Sequence, residues 1–458
     1  MTLKASEQGK QIIKTRRETL GWTYNDPQWL KAASQILDPD WPEDLFFDGK
    51  YPNGISEGTL KRFQGGKKPI DSQVFKIYCH VLNLPWEDIA ESCFVGRNKI
   101  VNELLNNLQT THKLLLLTGI TGTGKTALAN KLMSKFPKEY QQLTFSFETS
   151  EQEPNFASVA TQIIANLQKA ILPSQTNQPE NIIIWLVDYI SNHECVLLID
   201  SLEFALQGDQ HTGWSNFKDI WWEKFFLAFM AAPNCQGKII ITSQEMPIPL
   251  EDILISYNSL CEHQLLQGFT DVEIYEFFHK QEIGFTENSE IGNYLLRIGK
   301  AYEGHPLALK TIAGEILNTP FSGDVNKYWC EYKNEIAAIE QAYKEIELES
   351  INDNLKLDCY SKRLREIVKQ RIENTFQRLE KYVPNAYKLL CFGSIYRRAV
   401  PKRFWFKNLS LRYGLNIQDQ EIALDALIDR YLVENINNDL RQHNLIRSTA
   451  LEHLRTYI

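Results

Sequence analysis

Gly119-Ile120-Thr121-Gly122-Thr123-Gly124-Lys125-Thr126 follows directly on Leu114-Leu115-Leu116-Leu117 and leads into Ala127-Leu128-Ala129-Asn130-Lys131-Leu132-Met133. The leucine run predicts a buried parallel strand, and the stretch from Ala127 predicts a helix. Between them lies the pattern G-x-x-x-x-G-K-T. Glycines are needed there because backbone N–H groups must curl around phosphate oxygens where a side chain would collide. On this reading Gly119, Thr121, Gly122, Thr123, Gly124, Lys125, Thr126 and Ala127 form a phosphate cradle. Lys125 reaches the terminal phosphates, Thr126 ligates Mg²⁺, and the helix N-terminus adds its positive dipole end.

The rest of the chain sets this loop in proportion. With 458 residues there is room for about three domains, and the charged and apolar fractions are those of an ordinary globular protein. A net charge of −8 gives the whole molecule no electrostatic case for binding nucleic acid or an anionic membrane. No apolar run approaches the roughly 20 residues of a membrane-spanning helix. The polar start Met1-Thr2-Leu3-Lys4 is not a signal peptide. The eight cysteines are scattered with no C-x-x-C pair, which argues for reduced thiols in a cytoplasm and against a zinc site or a disulfide framework.

A second anchor follows the loop. Cys195-Val196-Leu197-Leu198-Ile199-Asp200 is an apolar run ending in a carboxylate. Ligands of parallel sheets sit at the carboxyl ends of strands, so Asp200 is expected beside Thr126 and the metal. Magnesium takes hard oxygen ligands and keeps waters, so one Asp acting through water suffices. Glu203 is the nearest further carboxylate able to polarise a water. A third apolar strand, Lys238-Ile239-Ile240-Ile241-Thr242-Ser243, runs into Gln244-Glu245, whose polar groups would approach a γ-phosphate.

Two short motifs narrow the family. Phe94-Val95-Gly96-Arg97 stands ahead of the loop strand, and Glu303-Gly304-His305-Pro306-Leu307-Ala308-Leu309 lies behind the third strand. In this order they resemble the NB-ARC branch of the STAND signalling ATPases, from about Phe94 to the C-terminus. The resemblance implies ATP or ADP and Mg²⁺ as cofactors. It implies that Val95, Gly96 and Arg97 hold the adenine and ribose side and that Pro306 packs on the nucleotide. No N-K-x-D guanine-reading signature follows the third strand.

Further on, Leu364, Ile367, Val368, Ile372, Phe376 and Leu379 repeat at helical spacing, and Pro384 starts the next helix. Ala423–Val433 reads as a helix running into a strand, Asn437-Asn438-Asp439 as a turn, and Leu440–Ile446 as the returning strand. Three helices and a hairpin make a winged helix. In the resembled family this domain carries a Met-His-Asp motif whose histidine touches the β-phosphate of ADP. Gln442-His443-Asn444 stands in that place, with Asn444 for the acid. Gln244 stands where the family has an arginine that senses the γ-phosphate, and Ser201 replaces a second acid. Both departures predict slow hydrolysis.

Ahead of Phe94, periodic segments around Ile12–Leu20, Trp29–Leu37, Glu57–Phe63, Val74–Leu82 and Pro85–Ile89 predict five helices, with Ser56 as a cap and Gly65-Gly66 as a stop. The pattern looks like a Cro/repressor-type helix-turn-helix and resembles N-terminal domains of cyanobacterial NB-ARC proteins. Lys61, Arg62, Lys67 and Lys68 would face phosphates, but Asp38, Asp40, Glu43, Asp44 and Asp48 cancel them. DNA binding is therefore not favoured over a protein partner.

The expected fold is an α/β P-loop NTPase core, a parallel sheet with flanking helices, joined to an all-α N-terminal domain, a helical subdomain and a C-terminal winged helix. The expected boundaries are 1–92, 93–250, 251–361 and 362–458. The expected function is a cytoplasmic, non-membrane ATP/ADP-binding switch, an enzyme only as a slow ATPase. It would self-associate on ATP binding and answer to a signalling partner; because the sequence stops soon after Ile446, either the sensor is a different chain or the winged helix and N-terminal domain perform the sensing themselves. The alternatives are a nucleotide-gated transcription regulator and an ADP-locked scaffold.

Overall fold

The computed structural model describes the chain except at residues 1, 39–40, 43, 48, 53, 67–69, 85, 91–93, 149–154, 167–177, 210–212, 350–355, 437–438 and 458. Asp40, Glu43, Asp48, Lys67, Lys68 and the Asn437-Asn438 turn therefore lie outside the described residues. The chain divides into two compact units. One gathers Met1–Val95, Asn318–Pro320 and Ile372–Ile458, and the other gathers Gly96–Leu317 and Phe321–Arg371.

The second unit is built on a five-stranded sheet. Its strands are β1 (Leu114–Thr118), β2 (Gln141–Ser146), β3 (Cys195–Asp200), β4 (Lys238–Ser243) and β5 (Cys261–Leu265). All pairings are parallel and the order is β2-β3-β4-β1-β5. The three inner strands are buried at every residue. Helices cover both faces of such strands, so they read as unbroken apolar runs. The edge strands β2 and β5 instead alternate buried with exposed positions, which is why their sequences, Gln-Gln-Leu-Thr-Phe-Ser and Cys-Glu-His-Gln-Leu, carry no such run. Register aligns the carboxyl ends, with Thr118 opposite Ser243 and Ile199 opposite Ile241. The loop after β1 and the acid ending β3 thus open at the same edge.

Leu114, Leu116, Leu197, Ile199, Ile239 and Ile241 join Ile183, Leu186, Ile190, Trp222, Phe225 and Phe229 of flanking helices in one core cluster. Each such side chain, fully buried, contributes about 1.5–3 kcal/mol. Lys113, just before β1, is buried as well. Its Nζ donates to the carbonyls of Phe229, Met230 and Ala232 at 3.0, 2.9 and 2.8 Å. They lie at the end of helix Trp221–Ala231, where only the Phe229 carbonyl also accepts from a backbone N–H, that of Ala232 at 3.3 Å, so one ammonium caps that helix against the sheet. Burial holds the Lys113 pKa below its ordinary value.

Beyond β5 the unit is helical: Asp271–Lys280, Glu290–Ala301, Pro306–Leu317, Val325–Glu349 and the first part of Lys356–Tyr382. Thr270 and Glu273 form a capping box at the first of these. Among the described residues no helix is long and apolar enough to cross a membrane.

In the first unit all five expected N-terminal helices form, as Glu7–Thr19, Pro27–Leu37, Glu57–Gly65, Ser72–Val81 and Trp86–Ile89, with a short helix Asp44–Phe47 besides. Thr2–Leu3 pairs with Ile70–Asp71, a two-residue ladder too short to be seen as periodicity. Ser56 and Thr59 cap each other's backbone, and Gly66 ends the helix at φ 60°. Trp29, Phe63, Phe75 and Tyr78 fill the core between these helices.

The C-terminal part of this unit contains Pro384–Gly393, Lys402–Tyr413, Ile417–Asp429 and a three-stranded antiparallel sheet of Val400–Pro401, Asp439–Arg441 and Glu434–Ile436. The returning strand stops at Arg441 rather than Ile446. Helix Asn444–Tyr457 begins instead, because Ile446, Ala450 and Leu454 recur at helical spacing and are all buried.

We expect Lys113→Met to destabilise the protein by on the order of 3 kcal/mol, because three carbonyls at a helix end lose a shared charged donor together. Equilibrium urea denaturation measures it; a change below about 0.5 kcal/mol would show that the cap contributes little.

Candidate functional site

The loop Gly119–Gly124 connects β1 to helix Lys125–Met133. Gly119, Gly122 and Gly124 have φ of 147°, 88° and 90°, a region that side-chain-bearing residues rarely adopt. Gly122 is also closely packed: a Cβ there would lie 2.8 Å from Cε1 of His305 and 2.9 Å from Cβ of Leu307.

What shapes the loop is the fate of its carbonyls. Lys125 Nζ donates to the carbonyls of Gly119 at 2.7 Å and Ile120 at 3.1 Å. His305 Nε2 meets the Thr121 carbonyl at 3.0 Å, and the backbone N–H of Leu307 donates to the Gly122 carbonyl at 3.3 Å. Arg97 Nη1 donates to the Thr123 carbonyl at 2.8 Å. Five consecutive carbonyls are thus held by groups from three places in the sequence. A planar peptide directs its N–H away from its carbonyl, so fixing the oxygens also fixes where the N–H groups point; that of Thr123 turns back to the Ile120 carbonyl at 3.4 Å.

His305 is the residue that sequence reasoning passed over in favour of its neighbour Pro306. It is almost wholly buried. Its Nδ1 accepts from the Ala308 N–H at 3.3 Å, so the tautomer with the proton on Nε2 satisfies both nitrogens. Pro306 opens helix Pro306–Leu317, where a missing N–H costs nothing. The signal was present in Glu303–Leu309, but a polar residue before a helix start has many ordinary uses.

Arg97 is held equally firmly. Its backbone sits at φ 57°, its N–H donates to the Glu273 carboxylate, and its Nη2 donates to the Gln267 carbonyl at 2.7 Å. Burial lowers its pKa to about 10, with the Glu273 charge opposing that shift. Gly96, at φ 62°, lies against the same carboxylate. Val95 is buried at the end of the other unit.

The acidic side of the site is also assembled as expected. Asp200 Oδ1 accepts from the hydroxyls of Thr126 and Thr242, both at 2.7 Å, and its Oδ2 accepts from Ser146 at 3.3 Å. Glu203 lies in the short turn Leu202–Ala205. Its Oε1 accepts from Gln244 Nε2 at 3.0 Å, whereas its Oε2 is buried without a partner. Burial raises the Glu203 pKa, opposed first by the Lys125 charge. Ser201 takes a left-handed backbone and donates its N–H to Thr242 at 2.8 Å, so its place is conformational. The Lys125 pKa is lowered to about 8, mainly by burial, with Glu203 and Asp200 opposing the shift and Arg365 adding to it. Thr126 and Ala127 are exposed at the start of the helix.

The structure thus brings Arg97, Gly119–Thr126, Asp200, Glu203, Gln244 and His305-Pro306 together in one unit. His443 belongs to the other unit, partly buried just before helix Asn444–Tyr457. Its Nδ1 accepts from the Leu445 N–H at 3.3 Å.

A parallel sheet with this loop after one inner strand and this acid after the next defines a P-loop ATPase domain. Comparison with known proteins agrees. Residues 108–239 match the model of a family described as an AAA domain. An uncharacterized WD repeat-containing protein of Nostoc sp. is 30% identical over 370 residues, covering 71% of this chain and 28% of its own length. The chain therefore spans under a third of that relative. Among solved structures, the STAND protein with a tetratricopeptide repeat sensor from Pyrococcus horikoshii shares the fold at a TM-score of 0.50 and 18% identity, over 79% of this chain and 42% of that one.

We expect Gly122→Ala to cost about 1–3 kcal/mol in stability, through its positive φ and the collision with His305 and Leu307. Urea denaturation reads this directly; an unchanged midpoint would show that the loop can retreat from the helix.

Proposed function

We propose that the chain is an ATP- and ADP-binding switch of the NB-ARC branch of STAND proteins, coupling slow hydrolysis and nucleotide exchange to opening and assembly in signalling. The observation that carries this reading is the bonding of the helix beginning at Pro306 to the loop carbonyls of Thr121 and Gly122. Any ligand that reshapes the loop acts on that helix directly, which is what a switch requires.

The residues present fit an adenine nucleotide with Mg²⁺. Three glycines at positive φ bring no side chains of their own to the loop, and the buried Glu203 Oε2 without a partner gives an acceptor for water. Gly119–Thr126 and Ala127 would hold the phosphates, with Lys125 as their cation. Val95, Gly96 and Pro306 would enclose the adenine and ribose. Arg97 would act beneath the loop, through Thr123. Thr126 and Asp200 would hold Mg²⁺, one directly and one through water; among the described residues no cluster of three His, Cys, Asp or Glu provides a protein cage instead. The metal supplies charge neutralisation at the phosphates. Glu203 would accept the proton of an attacking water, its affinity for protons raised by burial. Gln244 is neutral and committed to Glu203, so hydrolysis is slow.

In this reading 1–92 is a helix-turn-helix-like interaction domain, 93–250 the nucleotide domain, 251–361 a helical subdomain and 362–458 a winged helix. His443 would touch the β-phosphate of ADP and hold the closed form, with Asn444 providing a weaker lock than an acid would. The N-terminal domain is assigned to a protein partner rather than DNA. At the start of helix Glu57–Gly65, Lys61 is paired with Glu57 at 3.4 Å, and an acid there would face phosphates. The Nostoc relative's WD repeats and the Pyrococcus protein's repeat sensor support a repeat array, in this chain or a partner, as the source of the trigger.

The purified protein is expected to retain ADP or ATP in preference to guanine nucleotides, and Lys125→Ala to retain none; chromatography of the released nucleotide decides it. Equal nucleotide content in both proteins would overturn the reading. Turnover should fall well below the roughly 1–100 s⁻¹ of kinases, as phosphate release would show. ADP binding should also depend on pH. Phosphates favour the charged lysine, whereas a Lys125 with a pKa of about 8 is mostly neutral above that pH. Binding must then take up a proton, so affinity should fall above pH 8 by about tenfold per unit at most. Titration calorimetry in buffers of different ionisation enthalpy measures that uptake, and its absence at pH 9 would remove Lys125 as the phosphate cation.

A further inference from the structure

The end of β4 offers a neutral amide, Gln244, where a terminal phosphate calls for positive charge, but the next residue brings a cation from far along the chain. Glu245 Oε1 accepts from Nη2 of Arg365 at 3.3 Å. Arg365 lies in helix Lys356–Tyr382, 120 positions away in sequence. The two side chains are only 25% and 30% exposed, and the Arg365 Nε is buried without a hydrogen-bond partner. One arm of the guanidinium is therefore engaged, by a long single contact, and the inner nitrogen is unused. A single contact of this kind is weak compared with the bidentate pairing that a guanidinium fork makes with carboxylate or phosphate.

We propose that Arg365 reads the γ-phosphate, exchanging its Glu245 contact for the terminal phosphate of a nucleoside triphosphate and returning to Glu245 when only a diphosphate is bound. The assignment rests on the nucleotide reading given above and adds to it the group that tells ATP from ADP. Two observations favour it. The guanidinium is a cation tied to Glu245, just beyond β4 and next to the Gln244–Glu203 pair. Its planar fork, with one arm in a single long contact and the Nε without a partner, matches phosphate oxygens better than the point charge of a lysine. An ADP β-phosphate, nearer the loop, would be served by Lys125 alone.

The test titrates the full-length protein, stripped of nucleotide, with ADP and with a non-hydrolysable ATP analogue in Mg²⁺. Arg365→Ala should weaken the triphosphate by about 10- to 100-fold, the range of a charge-assisted hydrogen bond, while ADP affinity changes less than about threefold. Arg365→Lys should be intermediate, because it keeps charge without the fork. Glu245→Gln should tighten the triphosphate several-fold by freeing the arginine. Retained ADP binding in each variant shows that the fold and loop are intact. An unchanged ratio of ATP-analogue to ADP affinity in Arg365→Ala would overturn the proposal and leave the nucleotide reading standing. Equal loss of both ligands in Arg365→Ala would also overturn it, by making the residue structural. A wild-type protein that binds neither ligand would remove the nucleotide reading itself, and this inference with it.

Discussion

Five backbone carbonyls in a row, from Gly119 to Thr123, need partners, and nearly everything else in the larger unit is arranged to supply them. A loop with its oxygens satisfied on the outside can present its N–H groups on the inside without further cost. The partners come from an arginine ahead of β1, a lysine behind the loop, and a histidine and a backbone amide at the start of helix Pro306–Leu317. The loop's shape is therefore a consequence of the tertiary fold, and the fold's helical part is registered against the sheet through the loop. This mutual dependence explains why Arg97 is buried and bonded to carbonyls while keeping its charge close to Glu273.

Charged groups are concentrated in a small region. Lys125 lies among the charges of Asp200 and Glu203, Arg365 is paired with Glu245, and burial pushes both Lys125 and Glu203 toward their neutral forms. In such surroundings an added anion changes the protonation of its neighbours as well as their positions. Gln244 then has a positive reason to be an amide. It donates to Glu203 at 3.0 Å and orients the carboxylate without adding a further charge.

Much of this was legible from the sequence, and the remainder was hidden for identifiable reasons. The inner strands β1, β3 and β4 show as apolar runs because both faces are covered. The edge strands β2 and β5 alternate, as in Gln141–Ser146, and a short alternation is indistinguishable from a polar loop. The Thr126–Asp200 contact followed from strand polarity alone. The His305 ring and the Arg365 guanidinium did not, since their partners lie 184 and 120 positions away and no local pattern marks them. Helix Asn444–Tyr457 starts inside the expected strand Leu440–Ile446, because a hairpin reading was carried on past Arg441 although Ile446, Ala450 and Leu454 recur at helical spacing. The N-terminal helices were legible because each carries its own apolar spacing and caps, as Ser56 and Gly66 do for Glu57–Gly65.

A closed mechanical path links these parts. The loop holds the first turn of helix Pro306–Leu317 through His305 and Leu307. Near the other end of that helix, Glu315 is almost fully buried and ion-paired with Arg371, whose side chain is 1% exposed. Arg371 lies under the rings of Tyr328 and Tyr332 and within 3.9 Å of Glu335. Removing one member of such a buried pair leaves the other uncompensated, so the contact resists partial opening and favours two discrete arrangements over a continuum. Arg371 stands on the same helix as Arg365, which returns to the phosphate end of the sheet at Glu245. From the loop through Pro306–Leu317 and Glu315–Arg371 to Arg365, each step is a direct bond or a continuous helix within one unit.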